Sequence, residues 1–150
     1  MRLIRLLYTS QAAQQMSAQR IEQIVKVARY KNSEALITGI LLYGNGQFMQ
    51  VLEGDERRVV ELFNRIARDG RHCEVDVLVM RPTSKRLFGE WSMGLLNLEH
   101  VGLDGDLPLR DVLFNANKER RDAGYDVLDV LRKFIKSVQS HRVARMAFDR

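Results

Sequence analysis

The sequence predicts an α+β fold of the ferredoxin-like type, with the element order βαββαβ, a fifth strand, and two C-terminal helices on or near the open sheet face. One observation is the stretch 37–54, ITGILLYGNGQFMQVLEG, in which two nearly continuous apolar runs flank Gly44-Asn45-Gly46. These turn residues accept positive φ, so the runs at 36–43 and 48–52 are predicted to form a hairpin. The other observation is an apolar stripe at helical spacing on each side of this hairpin, with a further apolar strand beyond each stripe.

Before the hairpin, the sequence predicts one strand and one helix. Residues 3–9 are mostly aliphatic and include Tyr8, which suits a buried strand. Ser17 is a favourable N-cap for a helix that continues to about residue 30. The apolar stripe of this helix consists of Ile21, Ile24, Val25 and Ala28.

After the hairpin, a second helix is predicted to begin at Asp55 and to end at Asp69-Gly70. Residues 73–80 are predicted to form the fourth strand, and residues 83–89 a short helical turn. The stretch 90–98, EWSMGLLNL, is predicted to form the fifth strand.

The C-terminal part, residues 102–150, is predicted to be a helical extension of the domain formed by residues 1–101. Pro108 suits the first turn of a short helix that ends near Asn117. A longer helix over residues 125–140 carries an apolar stripe that suits packing against the sheet.

Composition and charge narrow the function classes. The chain has 150 residues, a net charge of +5 and a pI near 9.7, but its basic residues are scattered and often adjoin acids. This pattern favours a solvated surface over a nucleic-acid face. The single Cys73 excludes an internal disulfide. Without a long apolar run or a signal peptide, we expect a cytoplasmic protein with no membrane contact.

The usual catalytic constellations are missing from the sequence. His72, His100 and His141 are too dispersed for a metal site of any familiar spacing. Glu53 and Asp55 are neighbouring acids at the end of a strand, where we expect them to cap the following helix.

Four side chains stand out on strands that are otherwise apolar. Gln50 lies in the middle of the third strand, where a buried amide is costly unless both of its ends find partners. If the first and third strands are neighbours, Tyr8 and Gln50 can share a face and a hydrogen bond. Trp91 and Met93 are two residues apart, and are therefore predicted to lie on one face of the fifth strand. Each of these residues is also compatible with ordinary core packing.

At these positions the sequence resembles the BLUF family, the flavin-binding blue-light sensors, over about residues 2–100. The resemblance depends on RLLYTS near the start, Asn32 after the first helix, and the hairpin 37–54. It also depends on RIARDGRH at 65–72 and on F-x-x-WSM at 88–93. Several motifs in the same order and at matching spacing make the resemblance specific.

The resemblance implies a non-covalently bound flavin, FAD with FMN or riboflavin as alternatives, whose ring lies between the two helices. It implies that Tyr8 donates an electron and a proton to the excited flavin, and that Gln50 bridges Tyr8 to flavin N5 and O4. Asn32 is expected to bind the pyrimidine edge of the ring. Ile24 and Ile66 are expected to sandwich the ring.

Further contacts follow from the same resemblance. Arg65 and Asp69 are expected to meet the polar tail of the flavin, and Phe48 to contact the cofactor. Trp91 and Met93 match the pair that shifts as the signal leaves the pocket.

Two positions depart from the family pattern. Lys31, which we expect to contact the flavin edge, occupies a position that is often histidine or asparagine in relatives, and Ala28 one that is often serine. These changes are expected to affect dark recovery. They leave the Tyr8 and Gln50 pair intact.

The resemblance implies a photoreceptor without enzymatic output. The signal would pass through residues 102–150 to a downstream signalling protein, or through rearrangement of a homo-oligomer, either a dimer or a larger assembly. The alternative is an RNA-binding domain, because a basic chain with a ferredoxin-like fold is compatible with RNA binding. Such a domain needs aromatic residues exposed on its central strands. An enzyme of the acylphosphatase type would need an arginine-bearing phosphate loop after the first strand, which this sequence lacks.

Overall fold

The computed structural model describes residues 1–99 and 125–148, with the side chains of 127–140 described in the second range. Five strands form one mixed sheet in the order β4-β1-β3-β2-β5. The elements are β1 (Leu3–Ala12), α1 (Ala18–Glu34), β2 (Thr38–Gly44), β3 (Gln47–Asp55), α2 (Glu56–Ala67), β4 (His72–Pro82), β5 (Gly94–Asn97) and α3 (Tyr125–Phe148). All pairs are antiparallel except β2 with β5. The predicted βαββαβ core with a fifth strand is therefore confirmed.

The hairpin between β2 and β3 has the turn that the sequence predicts. Asn45 and Gly46 have φ of 54° and 71°, respectively. Positive φ at both central residues characterises a type I′ turn, whose twist matches that of the flanking strands. This turn fixes the register of the hairpin, which places Leu41 opposite Gln50.

The helix α1 begins as predicted and ends later than predicted. The Ser17 hydroxyl accepts a hydrogen bond from the backbone N–H of Arg20 at 3.2 Å, as expected of an N-cap. The helix continues to Glu34, and Asn32 is buried in its last turn. The chain leaves the helix through Leu36, whose φ of 56° is in the left-handed region. The four added residues bring Asn32 to the sheet edge next to β5.

The two faces of the sheet have separate cores. The helices α1 and α2 cover one face, whose core contains Leu6, Tyr8, Ile21, Leu41, Leu52 and Val59. The helix α3 covers the other face, whose core contains Leu7, Ile40, Val51, Leu131, Phe134 and Ile135. The predicted packing of the long C-terminal helix on the open face is confirmed. The predicted short helix from Pro108 to Asn117 lies outside the described residues.

The fifth strand is shorter than predicted. Only Gly94–Asn97 pair with β2, so Trp91 and Met93 precede the strand. They also diverge, because Met93 is buried in the core beneath α1 and α2, whereas Trp91 packs against the core beneath α3. The prediction that both share one face of the fifth strand was wrong. Strand alternation does not apply to them, since the chain passes around the sheet edge at this point.

Residues 83–93, which we call the β4–β5 connection, contain no helix, so the predicted helical turn at 83–89 was also wrong. The backbone amides of Leu87 and Phe88 donate instead to the carboxylate of Glu53, at 2.8 and 2.7 Å. Glu53 is fully buried, and its carboxylate also accepts from Arg5 Nε at 2.9 Å. The expectation that Glu53 caps α2 was therefore wrong. Asp55 does occupy the N-cap position of α2, but without a side-chain capping hydrogen bond.

The close approach of α3 to the end of β2 gives a test of this packing. A Cβ added at Gly44 would lie 2.7 Å from Val138 Cγ1 and 3.1 Å from Leu98 Cβ. We expect Gly44→Ala to lower the free energy of unfolding by about 1–3 kcal/mol, as overpacking does. Urea denaturation measures this loss.

Gly70→Ala is the matched control, because nothing lies within 4 Å of the added Cβ. A double-mutant cycle with Val138→Ala should show a favourable coupling free energy, since the smaller residue relieves the clash. Strict additivity of the two substitutions would contradict the packing of α3 against β2.

Candidate functional site

A cavity of about 220 Å³ opens between the sheet, α1 and α2. Two helical faces form its walls, because residues spaced by three and four positions share one side of a helix. The α1 wall is formed by Ile24, Val27, Ala28, Lys31 and Asn32, and the α2 wall by Leu62, Arg65 and Ile66. The floor consists of the strand residues Tyr8, Leu41, Phe48 and Gln50, together with Met93. An apolar slot with polar groups at its base suits a flat, partly polar ring system.

At the floor of the cavity, Tyr8 and Gln50 face each other across neighbouring strands. They are direct partners in the antiparallel register of β1 and β3. The Tyr8 hydroxyl donates a hydrogen bond to Gln50 Oε1, and both side chains are buried. The other end of the amide, Nε2, donates to Met93 Sδ at 3.3 Å. The buried amide is thus satisfied at both ends, by a strong donor and by a weak sulfur acceptor.

The ring of Tyr8 is held in place by aromatic neighbours. The Phe63 ring lies 5.4 Å away between centroids, at an interplanar angle of 60°. The His72 ring makes an edge contact at 6.4 Å. His72 is itself fixed, because Nδ1 lies 2.8 Å from Ser10 Oγ and Nε2 contacts the Ile66 carbonyl. These contacts keep the phenol directed at Gln50.

Burial raises the pKa of Tyr8 above its usual value near 10, and the nearby charge of Asp69 adds to the rise. The phenol is therefore neutral and a hydrogen-bond donor at every pH near neutrality. A neutral tyrosine keeps its proton available for transfer together with an electron.

Charged groups line the cavity on both helices and on the segment that follows α2. Lys31, Arg65 and Arg71 line it together with the carboxylate of Asp69. The Arg71 guanidinium donates to both Asp69 oxygens and, chiefly through these hydrogen bonds, lowers the pKa of Asp69 to about 2. With Asp69 paired to Arg71, the charges of Lys31 and Arg65 give the cavity lining a positive excess. These two cations lie at different ends of the lining, because each is in the last turn of its helix and the two helices run in opposite directions.

The structure brings the sequence-predicted site residues together, apart from Trp91. Those that line the cavity are Tyr8, Ile24, Lys31, Asn32, Phe48, Gln50, Arg65, Ile66, Asp69 and Met93. Trp91 lies outside it and packs against the core beneath α3. Asn32 Nδ2 donates to the Ser92 carbonyl at 2.9 Å, so this amide also ties α1 to the β4–β5 connection.

Sequence reasoning missed several cavity residues. Arg71 and His72 belong to the RIARDGRH motif, but His72 was considered only as a metal ligand. Leu41 follows from the hairpin register, because it lies opposite Gln50. Met16, Val27 and Leu62 carry no distinguishing signal beyond their apolar character.

Among the side chains that the structure describes, those of residues 1–99 and 127–140, no group of three or more His, Cys, Asp or Glu is placed to hold a metal ion. Within residues 1–99 and 125–148, no helix is long and apolar enough to cross a membrane.

The family described as BLUF, sensors of blue-light using FAD, matches residues 3–94. The chain belongs to the BLUF family. It is a BLUF blue-light photoreceptor, and BLUF domains bind flavin. The resemblance read from the sequence motifs is therefore confirmed.

Relatives and solved structures agree with this membership. A photoactivated adenylate cyclase subunit beta from Euglena gracilis is 38% identical over 117 residues, which span 77% of this chain and 13% of that protein. A Klebsiella pneumoniae BlrP1 structure superposes with a TM-score of 0.74 at 33% identity, over 89% of this chain and 34% of that one. BlrB, a BLUF protein in its dark state, superposes with a TM-score of 0.67 at 30% identity, over 91% and 97% of the two chains.

The raised pKa of Tyr8 leads to a prediction about alkaline pH. At a pH between the pKa of Tyr8 in the unfolded chain and its higher pKa in the folded protein, the folded protein retains a proton that the unfolded chain has released. The free energy of unfolding should therefore fall as the pH rises above about 10. Tyrosinate absorbance of the folded protein should be the same in Tyr8→Phe as in wild type until unfolding begins. If the folded Tyr8→Phe variant titrated one tyrosine fewer than folded wild type, Tyr8 would be ionising in the folded protein. That result would contradict the raised pKa of Tyr8.

Proposed function

We propose that this BLUF domain senses blue light through the hydrogen-bonded series Tyr8, Gln50 and Met93. The contact of the Tyr8 hydroxyl with Gln50 Oε1, inside a cavity between α1 and α2, carries the proposal. Ile24 and Ile66 would hold the flavin ring from the two helices, with Asn32 and Gln50 at its polar edge. When bound, the flavin supplies light absorption and accepts an electron on excitation.

The residues of the chain would then act in sequence. Tyr8 gives up an electron and its proton and regains both, because its neutral, buried phenol lies next to the cavity. Gln50 changes what it offers its neighbours, since rotation of an amide exchanges a donor and an acceptor of nearly equal shape. Each net hydrogen bond is worth about 0.5–1.5 kcal/mol, so the rearranged state can revert in the dark.

In this proposal, the positive charge of the cavity lining determines which flavin binds. Arg65, a cation of the cavity lining in the last turn of α2, favours a flavin that carries phosphate, so we propose FAD or FMN over riboflavin. Lys31 would contact the cofactor from the position where relatives often have histidine or asparagine.

For the output, we propose that the signal passes from Met93 through the β4–β5 connection to α3. From there it would reach a downstream signalling protein or a second copy of the chain. The chain itself would carry no catalytic activity. The Euglena relatives are named as cyclases, but this chain spans only about an eighth of their length.

The alternative of an RNA-binding domain lacks support from the sheet. Tyr8 and Phe48 are buried beneath α1 and α2, where they cannot stack on bases. The opposite face is covered by α3. The aromatic platform which that module needs is therefore missing from the described strands.

The proposal is tested by Tyr8→Phe and Gln50→Ala. Purified protein should be yellow, and blue light should shift its flavin absorption to the red, reversibly in the dark. Both variants should keep the flavin and lose the red shift, because each breaks the Tyr8–Gln50 contact.

Tyr43→Phe is the matched control, since Tyr43 is also a buried strand tyrosine but does not line the cavity. It should photocycle as wild type does. A normal red shift in Tyr8→Phe or in Gln50→Ala would refute these assignments.

Arg65→Gln tests the choice of flavin. Because Arg65 is exposed, we expect about a 2- to 5-fold rise in the Kd for FMN or FAD, and no change for riboflavin. Titration of the flavin-free protein measures these constants, and raising the salt concentration should shrink the difference. The control is Arg68→Gln, an exposed arginine outside the cavity. If Arg65→Gln weakened the binding of riboflavin by the same factor, the proposed contact of Arg65 with the flavin phosphate would be wrong.

A further inference from the structure

The β4–β5 connection links the cavity to the opposite face of the sheet. Phe88 lies in the core beneath α3, and Trp91 packs against that core. Two residues after Trp91, the chain reaches Met93, which contacts Gln50 in the cavity. A six-residue stretch, 88–93, therefore has side chains in both cores.

Glu53 holds the beginning of this stretch. Its carboxylate accepts from the Leu87 and Phe88 amides at 2.8 and 2.7 Å, and from Arg5 Nε at 2.9 Å. Arg5 in turn donates to the Lys85 carbonyl at 2.8 Å. Glu53 is three residues after Gln50 on β3, so one strand carries both the amide of the cavity and the anchor of the connection.

Arg29, Asn32 and Gly39 hold the end of the stretch. Arg29 Nε donates to the Met93 carbonyl at 2.8 Å, and Asn32 Nδ2 to the Ser92 carbonyl at 2.9 Å. The Gly39 amide donates to the Trp91 carbonyl at 3.0 Å. Both ends of the stretch are thus tied to the sheet or to α1.

We propose that Glu53 and Arg29 are positioning residues of the light response, which fix the two ends of the stretch so that displacement of Met93 moves Trp91. This inference rests on the proposed function, because it needs Met93 to respond to Gln50. A stretch fixed at both ends transmits a displacement at one side chain to the others. A stretch with a loose end absorbs that displacement in its own backbone.

The buried pair of Arg5 and Glu53 could serve stability alone, but the geometry shows a second role. An ion pair needs only Arg5, whereas the Glu53 carboxylate also accepts two hydrogen bonds from backbone amides of the connection. Arg29 lies on the exposed side of α1, and its hydrogen bond to Met93 crosses 64 positions of sequence. Both residues therefore bind the same stretch from different elements.

The test uses Trp91, the single tryptophan of the chain, as a fluorescent reporter on the face opposite the cavity. In flavin-loaded protein, the light-induced change in Trp91 fluorescence is divided by the size of the flavin red shift. We expect this ratio to fall at least about twofold in Glu53→Gln and in Arg29→Met, while the red shift is retained. Arg29→Lys, which keeps a donor, should restore part of the ratio.

The control is Glu56→Gln, an acid at the start of α2 whose side chain pairs with Arg2 at 3.7 Å. Its ratio should equal that of wild type. Independently of light and flavin, Glu53→Gln should speed hydrogen exchange of the Leu87 and Phe88 amides, because their acceptor is weakened. The control should not change that exchange.

The outcomes separate this inference from the proposed function. If wild type shows no red shift, the proposed function fails. If wild type shows a red shift without a Trp91 response, or if the folded variants keep the wild-type ratio, only the inference is overturned. An equal fall in Glu56→Gln also overturns it. Should Glu53→Gln not fold, the exposed Arg29 variants decide the outcome.

Discussion

The buried amide of Gln50 is the constraint around which the rest of this molecule is arranged. An amide inside a core must find a donor for its oxygen and an acceptor for its nitrogen, or the fold loses stability. The strand register supplies Tyr8 as the donor, and the β4–β5 connection supplies Met93 as the acceptor. The satisfied amide and the proposed switch both depend on these two contacts.

The central position of β3 explains how one amide can affect both faces of the sheet. Successive residues of a strand point to opposite faces, so Gln50 reaches the cavity while Glu53 reaches the core beneath α3. Both side chains then bind the same connection, at Met93 and at the amides of Leu87 and Phe88. A change at the amide therefore meets a segment that is already anchored on the same strand.

How far the sequence predicts this structure depends on the kind of signal at each position. Periodicity and turn chemistry were sufficient for the hairpin, whose register Asn45-Gly46 fixes. The predicted pairing of β1 with β3 was sufficient for the contact of Tyr8 with Gln50. Helical spacing placed Ile24 on the buried face of α1, whereas Lys31 was assigned to the site only through the family resemblance; both line the same wall. The connection could not be predicted from such patterns, because its shape is set by the distant carboxylate of Glu53. Strand alternation therefore misplaced Trp91, which turns away from Met93 where the chain passes around the sheet edge.

The unequal strength of the two contacts of Gln50 gives the proposed switch a direction. A phenol hydroxyl is a strong donor, whereas a thioether sulfur is a weak acceptor. In the proposed switch, transfer of the Tyr8 proton would interrupt the stronger contact, and the weak contact to Met93 would offer little resistance to rotation of the amide. After rotation, an oxygen faces the sulfur, and neither atom can donate. The side chain of Met93 would then be displaced, while its own carbonyl stays bound to Arg29 and the carbonyl of Ser92 stays bound to Asn32. In this proposal the displacement would fall on the side chain of Met93 rather than on the backbone that α1 holds.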